Sequence, residues 1–510
     1  MKNIFIFLFI FLFIFLILIN LSCSKKEKQE LKILTVAISS NPTNLDARFA
    51  SDMASQYITN QIYRSLIFIN DKLDIEYDLA KSIEIIDSQV YVITIDSNVF
   101  FSNNKKLTAD DVKFTYETIV DSESKSPYKK SFDYLDKIEL IDDYKIKFEL
   151  KRPYAPFLSC LTIGIVPEKL ANLTQEEFSR KPIGAGPFEI VEWLADEKIT
   201  LKKNEYYNKQ KIDIDKIIFK ILPDDNTRYL EIVKGSIDVS VNNIPQDMIN
   251  QIQNNPKLKI LTSNGVNYSY LGFNCEHKIL KDKRVRQAIA YAINRDEIIK
   301  NILNGFAIKA TNILIPENWA NEPEVKKYEY DPETSKKLLD EAGYKIKKNG
   351  IRFTLEYKAL NKDITRRIAE VIQAQLKQIN IDVQIKMYEW GTFYGDVVKG
   401  NFEMFQLTWV GVTEPDIYYM VFHSSNIPPN GANRGRYKNP IIDKLVEEAR
   451  YELNIEKRKK IYSEIQKIIA EDEPYVSLWY NSNICILNNR IKNYKLHPTG
   501  NLKYLAFTQF

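Results

Sequence analysis

The chain is poor in the residues that most often carry chemistry. Its 510 residues include only three histidines, His277, His423 and His497, far apart in sequence. No HExxH, GxSxG or GxxxxGK motif occurs, nor any Cys/His set with metal spacing, so no catalytic or metal centre is written locally. The expectation is a binder rather than an enzyme, with no cofactor and no metal. Cysteine is equally scarce: Cys23, Cys160, Cys275 and Cys485 are scattered, with no CxxC pair. Once Cys23 is set aside an odd number remains, which argues against a disulfide framework and for small core residues. A net charge of +4 over this length, with both signs interspersed, argues against a nucleic-acid partner. No repeats or low-complexity segments appear.

Long apolar runs are absent after the start. Residues 4–19 are unbroken Ile, Phe and Leu behind Lys2, and Asn20-Leu21-Ser22-Cys23 follows. This reads as a signal peptide over 1–22 with a lipoprotein-type cleavage site, making Cys23 the lipidated N-terminus. The alternative is an uncleaved anchor; in both cases the remainder lies outside the cytoplasm, tied to a membrane. Residues 23–30 are polar and read as a tether.

The length behind it suits two or three domains. Residues 31–40 read as a buried first strand, and 55–69 have helical spacing through Ile58, Ile62 and Leu66. Thr108-Ala109-Asp110-Asp111 is a capping box. Strict alternation predicts a half-exposed strand over 145–151, so the region from about 67 to 181 reads as a separate α+β unit. Pro182-Ile183-Gly184-Ala185-Gly186-Pro187 marks its end. A short strand is expected over 235–239 and an extended aromatic stretch over 266–275. Asn294 and Asp331 open helices closed by Gly305 and Gly343. Alternation at 353–357, a helical stripe over 364–376 and alternation at 381–385 predict a parallel βαβ unit.

The stretch 404–437 stands out for function. A short apolar strand ending in Trp409 runs into a segment punctuated by Gly411, Pro415, Pro428, Pro429, Gly431 and Gly435. Backbone of that kind lies at a surface or lines a cavity. It offers aromatic faces, carboxylates at Glu414 and Asp416, and guanidiniums at Arg434 and Arg436, which suits a ligand wall. A guanidinium presents a bidentate fork to a carboxylate. One of the two arginines is expected to face the cleft and the other the protein. His423 reads as a locally bonded loop residue, because no second ligand is spaced for a metal.

Several stretches together resemble one family, the extracytoplasmic solute-binding proteins of peptide- and nickel-type ABC importers (family 5). They are Asn41-Pro42-Thr43-Asn44-Leu45-Asp46, Leu107-Thr108-Ala109-Asp110-Asp111, Gly184-Ala185-Gly186-Pro187-Phe188 and Arg284-Val285-Arg286-Gln287-Ala288-Ile289. Tyr330-Asp331-Pro332-Glu333, Glu341-Ala342-Gly343-Tyr344 and Asn433-Arg434-Gly435-Arg436-Tyr437 complete the ordered set. The resemblance implies an α/β, two-lobed periplasmic-binding-protein-like fold (type II, cluster C like) with an α+β domain inserted in the first lobe. Lobe I would comprise 31–66, 182–265 and 484–510, the insert 67–181 and lobe II 266–483, with crossings near 260–273 and 479–486.

It further implies a monomer that captures an oligopeptide or similar solute by hinge closure and hands it to ABC permease subunits. The alternatives are a nickel chelate or sugar as ligand, or a surface adhesin or sensor on the same scaffold. The expected ligand-binding residues are Asn41, Tyr268, Asn274, Trp390, Trp409, Gly411, Asp416, Arg434, Arg436 and Tyr437. Oligopeptide-binding members usually carry an Asp three residues after the Trp, which pairs with the α-ammonium, and often an Arg three residues before it. Here those positions are Val412 and Gln406. Either Glu414 or Asp416 takes over, Asp416 being the better placed, or the ligand has no free α-amino group.

Overall fold

The computed structural model describes residues 31–510. The expected leader, Cys23 and the tether lie outside the described residues. Among the described residues, no helix is long and apolar enough to cross a membrane.

Two long strands organise the molecule. Leu258–Phe273 and Tyr475–Asn488 pair antiparallel along almost their whole length, with a register shift between Ser263 and Asn267. They lie at the centre of an eleven-stranded sheet. On one side follow Met404–Trp409, Phe353–Leu360 and Ile381–Tyr388; on the other, Val239–Val241, Ile33–Ile38, Lys216–Ile221, Lys198–Lys203 and Phe188–Leu194. The crossings expected near 260–273 and 479–486 are therefore the inner strands of one continuous sheet. Their two halves belong to different cores. Cys485 and Leu487 pack with Leu34, Val36, Ile217 and Phe219, whereas Leu271, Phe273, Val476 and Leu478 pack with the helices of the other half.

Local chemistry explains most elements. Phe353–Leu360 and Ile381–Tyr388 pair in parallel around the helix Asp363–Gln378, as the alternating and helical stripes require. Asn294 and Asp331 accept from the first-turn amides of their helices. The insert has its own four-stranded antiparallel sheet, Ala80–Asp87, Val90–Ile95, Lys145–Leu150 and Leu135–Asp142, backed by the helix Ala109–Val120. It has no core of its own. Tyr91, Ile93, Tyr116 and Phe148 belong to the same buried cluster as Leu34 and Phe219. Its sheet is distinct from the eleven-stranded one, while its buried residues are continuous with the core of the first half.

Three element readings are corrected. The helix read over 55–69 stops at Ile62, and Ile67–Ile69 is a strand; Leu66 is buried at the junction rather than on a helical stripe. Gly235 does not begin a strand but ends the helix Asp225–Lys234 with φ +86°, and the strand is Val239–Val241. Within 404–437 the backbone is not wholly irregular, since Ile417–Phe422 forms a short helix.

Candidate ligand-binding cleft

The strand Met404–Trp409 delivers its last residue to the junction of the two halves, with Trp409 opposite Tyr268. The chain then turns at Gly411, whose φ is +70°. The Gly411 N–H donates to Asn267 Oδ1 (2.9 Å) and the Val412 N–H to the Val266 carbonyl (3.2 Å). These bonds fix the loop against the first crossing strand.

Two adjoining cavities meet at this loop. One, of about 370 Å³, is lined by the helix Met53–Ile62, the segment that follows it, Thr162 to Gly164, Val410, Gly411, Thr413 and the C-terminal residues His497, Thr499, Asn501 and Lys503. The other, of about 470 Å³, lies between the insert (Tyr128, Phe132, Tyr154, Ser159, Cys160) and the run from Trp409 to Glu414 with Asp416, Ile417 and Met420. Tyr128, Thr162, Ile163, Val410, Gly411 and Thr413 border both. The walls mix apolar faces and polar groups with a few charged side chains, Arg64 and Lys503 in the first cavity and Glu414 and Asp416 in the second, the composition of a small-molecule site.

Neither acid of the loop is free. Glu414 contacts Arg458 (2.6 Å) and accepts from the Ser159 hydroxyl (2.7 Å). Asp416 lies 2.9 Å from Arg450 Nε and accepts from the Tyr154 hydroxyl (3.4 Å). The Asp416–Arg450 contact lacks hydrogen-bond alignment, leaving Asp416 Oδ1 and Arg450 Nε without such a partner. Burial lifts the Asp416 carboxyl to about 7 against the pull of Arg450. Arg450 also lies 3.8 Å from the Tyr419 ring and donates to the Tyr134 hydroxyl (3.0 Å). The Ala155 N–H donates to the Arg450 carbonyl (2.8 Å). These acids thus join the insert to the Trp409 half.

The two arginines of Asn433-Arg434-Gly435-Arg436-Tyr437 part ways. Arg434 lies over Trp409 at 4.2 Å and near Tyr394 at 5.3 Å, and donates to the hydroxyls of Tyr270 (3.4 Å) and Tyr394 (3.3 Å). Among the described residues it forms no ion pair with a carboxylate. It stands behind Trp409 as seen from the cavities and lines neither. Arg436 faces away: it donates to the Lys399 carbonyl (2.9 Å), lies 3.9 Å from Glu276 and packs on Gly400.

The structure brings Trp409, Gly411 and Asp416 to the cavity walls and places the other expected residues elsewhere. Asn41 is bonded to the Asp196 turn, accepting from its N–H at 2.9 Å. Tyr268 is buried, its hydroxyl 2.7 Å from Ser477 Oγ. Asn274 donates to the carbonyls of Gly400 (3.3 Å) and Phe402 (3.1 Å). Trp390 is exposed and stacks on Tyr394 at 5.0 Å. Tyr437 is buried and donates to Asp472 at 2.5 Å. Asn41, Tyr268, Asn274 and Tyr437 are thus bonded within the protein, while Trp390 lies open on the surface. His423 contacts Glu447 (3.2 Å) and Ser425 Oγ (2.6 Å), and no cluster suited to a metal occurs among the described residues. Cys160, Cys275 and Cys485 are free thiols.

Sequence reasoning missed the lobe I wall, above all Arg64, Phe68, His497 and Lys503. His497 Nδ1 accepts from the Thr499 N–H (3.1 Å), so its proton resides on Nε2, which donates to the Ile69 carbonyl (3.1 Å). Burial holds this ring below the usual histidine range, and hence neutral. The charged groups of the 370 Å³ cavity are therefore Arg64 and Lys503, and no carboxylate lines it.

Two halves joined by paired crossing strands, with a partly polar cavity where they meet, define a two-lobed solute-binding protein. The model of the bacterial extracellular solute-binding proteins, family 5, matches residues 74–429, and the chain belongs to this family. It is 32% identical over 494 residues to the oligopeptide-binding protein AppA of Bacillus subtilis, covering 92% of this chain and 90% of the relative. It is 30% identical to heme-binding protein A of Haemophilus influenzae, covering 87% of this chain and 86% of the relative. The crystal structure of NikZ from Campylobacter jejuni in complex with Ni(L-His) aligns with a TM-score of 0.79 at 27% identity, covering 94% of this chain and 99% of the other. The fold is the two-lobed periplasmic-binding-protein fold expected.

Proposed function

We propose that the protein captures a small solute, foremost a peptide, in the cleft between its lobes and passes it to an ABC importer. Cys23, at the end of the signal-type leader, tethers it outside the cytoplasm. Trp409 and the backbone around Gly411 form the lobe II side of the ligand site. The observation that carries this reading is the pair of cavities walled by both halves at the Trp409–Gly411 turn. Similarity to an oligopeptide-binding relative over nearly the whole chain supports the peptide class. Glu414 and Asp416 already face guanidiniums, so a peptide would be held mainly through its backbone and side chains rather than by a charged contact at its α-ammonium.

Mature protein incubated with a defined peptide library, followed by mass spectrometry of retained and released species, tests the function. Peptides should be retained near one per chain and recovered unchanged. Conversion of more than one equivalent to product would establish an enzyme instead, and retention of none would remove the peptide class.

A further inference from the structure

The wall formed by Arg64, Phe68 and Lys503 carries a cation, Lys503, that makes no close ion pair among the described residues. Asp78 sits behind this wall and is shared by two cations. Arg64 reaches its Oδ1 from Nε (3.0 Å) and its carbonyl from a terminal nitrogen (2.8 Å), and Lys209 reaches Oδ1 at 2.6 Å. Lys503 is the third cation of the group. Among the described residues its ammonium makes no hydrogen bond and no close ion pair; the Phe68 ring lies at 4.4 Å, and the charge of Asp78 acts on it from farther off. It is half-buried and borders the 370 Å³ cavity, whose lining includes no carboxylate. Arg64 and Lys209 hold the close contacts to Asp78, so Lys503 shares that carboxylate's charge only at a distance and the desolvation of its ammonium is incompletely offset.

Its position is fixed from three directions. The Gln61 amide donates to the Leu502 carbonyl (2.7 Å), His497 is bonded to Ile69, and the Tyr504 hydroxyl accepts from the Asp71 N–H (3.1 Å). The backbone that bears Lys503 is thus fastened to the helix Met53–Ile62 and to the strand Ile67–Ile69.

We propose that Lys503 receives an anionic group of the ligand, a carboxylate in the first instance, on the lobe I side of the cleft. This deepens the solute-binding reading above and rests on it. In a peptide the group is the terminal carboxylate or an acidic side chain; in a non-peptide solute it is a carboxylate of the same charge. Burial, together with the repulsion of Lys209 and Arg64, pulls the Lys503 ammonium below the usual lysine range against the attraction of Asp78 and Glu76. An incoming anion would relieve both.

The test compares tetrapeptides with free C-terminal carboxylates, the same peptides amidated, and glutarate, a dicarboxylate with no peptide bond. Each is titrated by calorimetry into wild-type protein, Lys503→Met and Lys503→Arg. Amidation of neutral-side-chain peptides should weaken wild-type binding about thirtyfold or more, the range for losing one partner of a desolvated charge pair. Lys503→Met should bind both forms equally weakly, and Lys503→Arg should retain preference for the free acid. Should Lys503→Met fail to fold, NMR of the methylated Lys503 amine decides, since its signal should move on adding a carboxylate probe. Glutarate binding that depends on Lys503, with no peptide bound, would sustain the anion site while removing the peptide class. Equal binding of free and amidated peptides by wild type, or failure of every carboxylate probe to bind it, would overturn the proposal.

Discussion

Asp416 shows how a residue can be legible in the sequence while its task is not. Its neighbourhood, Pro415 before it and Tyr418 and Tyr419 after it, points to the cleft, and the cleft is where it lies. Its partner Arg450 comes from a distant helix, Pro440–Tyr451, and no local pattern announces that contact. The same holds for Lys503, Arg64 and Phe68, which meet from opposite ends of the chain. Trp409 and Gly411 are readable because they lie two residues apart, one ending a strand and the other making the turn after it. The Asp416 carboxyl, raised to about 7 from 3.8, gives a signed test. A raised carboxyl pKa favours the folded state when protonated. That contribution is fully present below about pH 4 and is lost as pH rises through about 7. The stability of wild type relative to Asp416→Asn should therefore fall between those limits, by at most about 1.4 kcal/mol per pH unit. Denaturant unfolding of both proteins from pH 4 to 8 measures it. A difference that grows with pH would mean that the charged Asp416–Arg450 pair dominates.

At the level of elements, period and caps located most helices and strands, and they failed where tertiary packing cuts a pattern short. The helix ending at Ile62 is one such place. The chain at Gly184 and Gly186 lies directly across its last turn: the Gly186 N–H donates to the Ile62 carbonyl at 2.7 Å. A Cβ at Gly186 would come within 2.5 Å of Ile62 C and 2.6 Å of Ile62 O, both backbone atoms that cannot swing aside. The glycines read as punctuation in the sequence are thus required by a close crossing that joins the insert's exit to the helix lining the cleft. Gly186→Ala should destabilise the protein by about 1–3 kcal/mol, the range for an overpacked contact, with a lowered unfolding midpoint in denaturant. An unchanged midpoint would show that the crossing can widen freely. The short helix Ile417–Phe422 escaped detection for a different reason, because its six residues are too few for a period.

On the scale of the whole molecule, the ordered motifs made the two-lobed architecture readable, while the sharing of one core between lobe I and the insert was not. Residues such as Ile146 and Phe148 alternate within their strand in the same way whether the core beyond them is private or shared. That sharing makes lobe I and the insert one body. The closure proposed above would then concentrate movement in the crossing strands, near the register shift between Ser263 and Asn267, and at the Tyr154–Asp416 and Ser159–Glu414 contacts. A ligand shifts such an equilibrium only by binding one arrangement better than the other, and contact with both walls supplies that difference. Small-angle scattering of the mature protein, alone and saturated with a peptide retained from the library, tests this most directly. The radius of gyration should shrink on binding, and Trp409→Ala should lose the change at the same peptide concentration. An identical scattering profile with and without bound peptide would contradict capture by closure between the lobes.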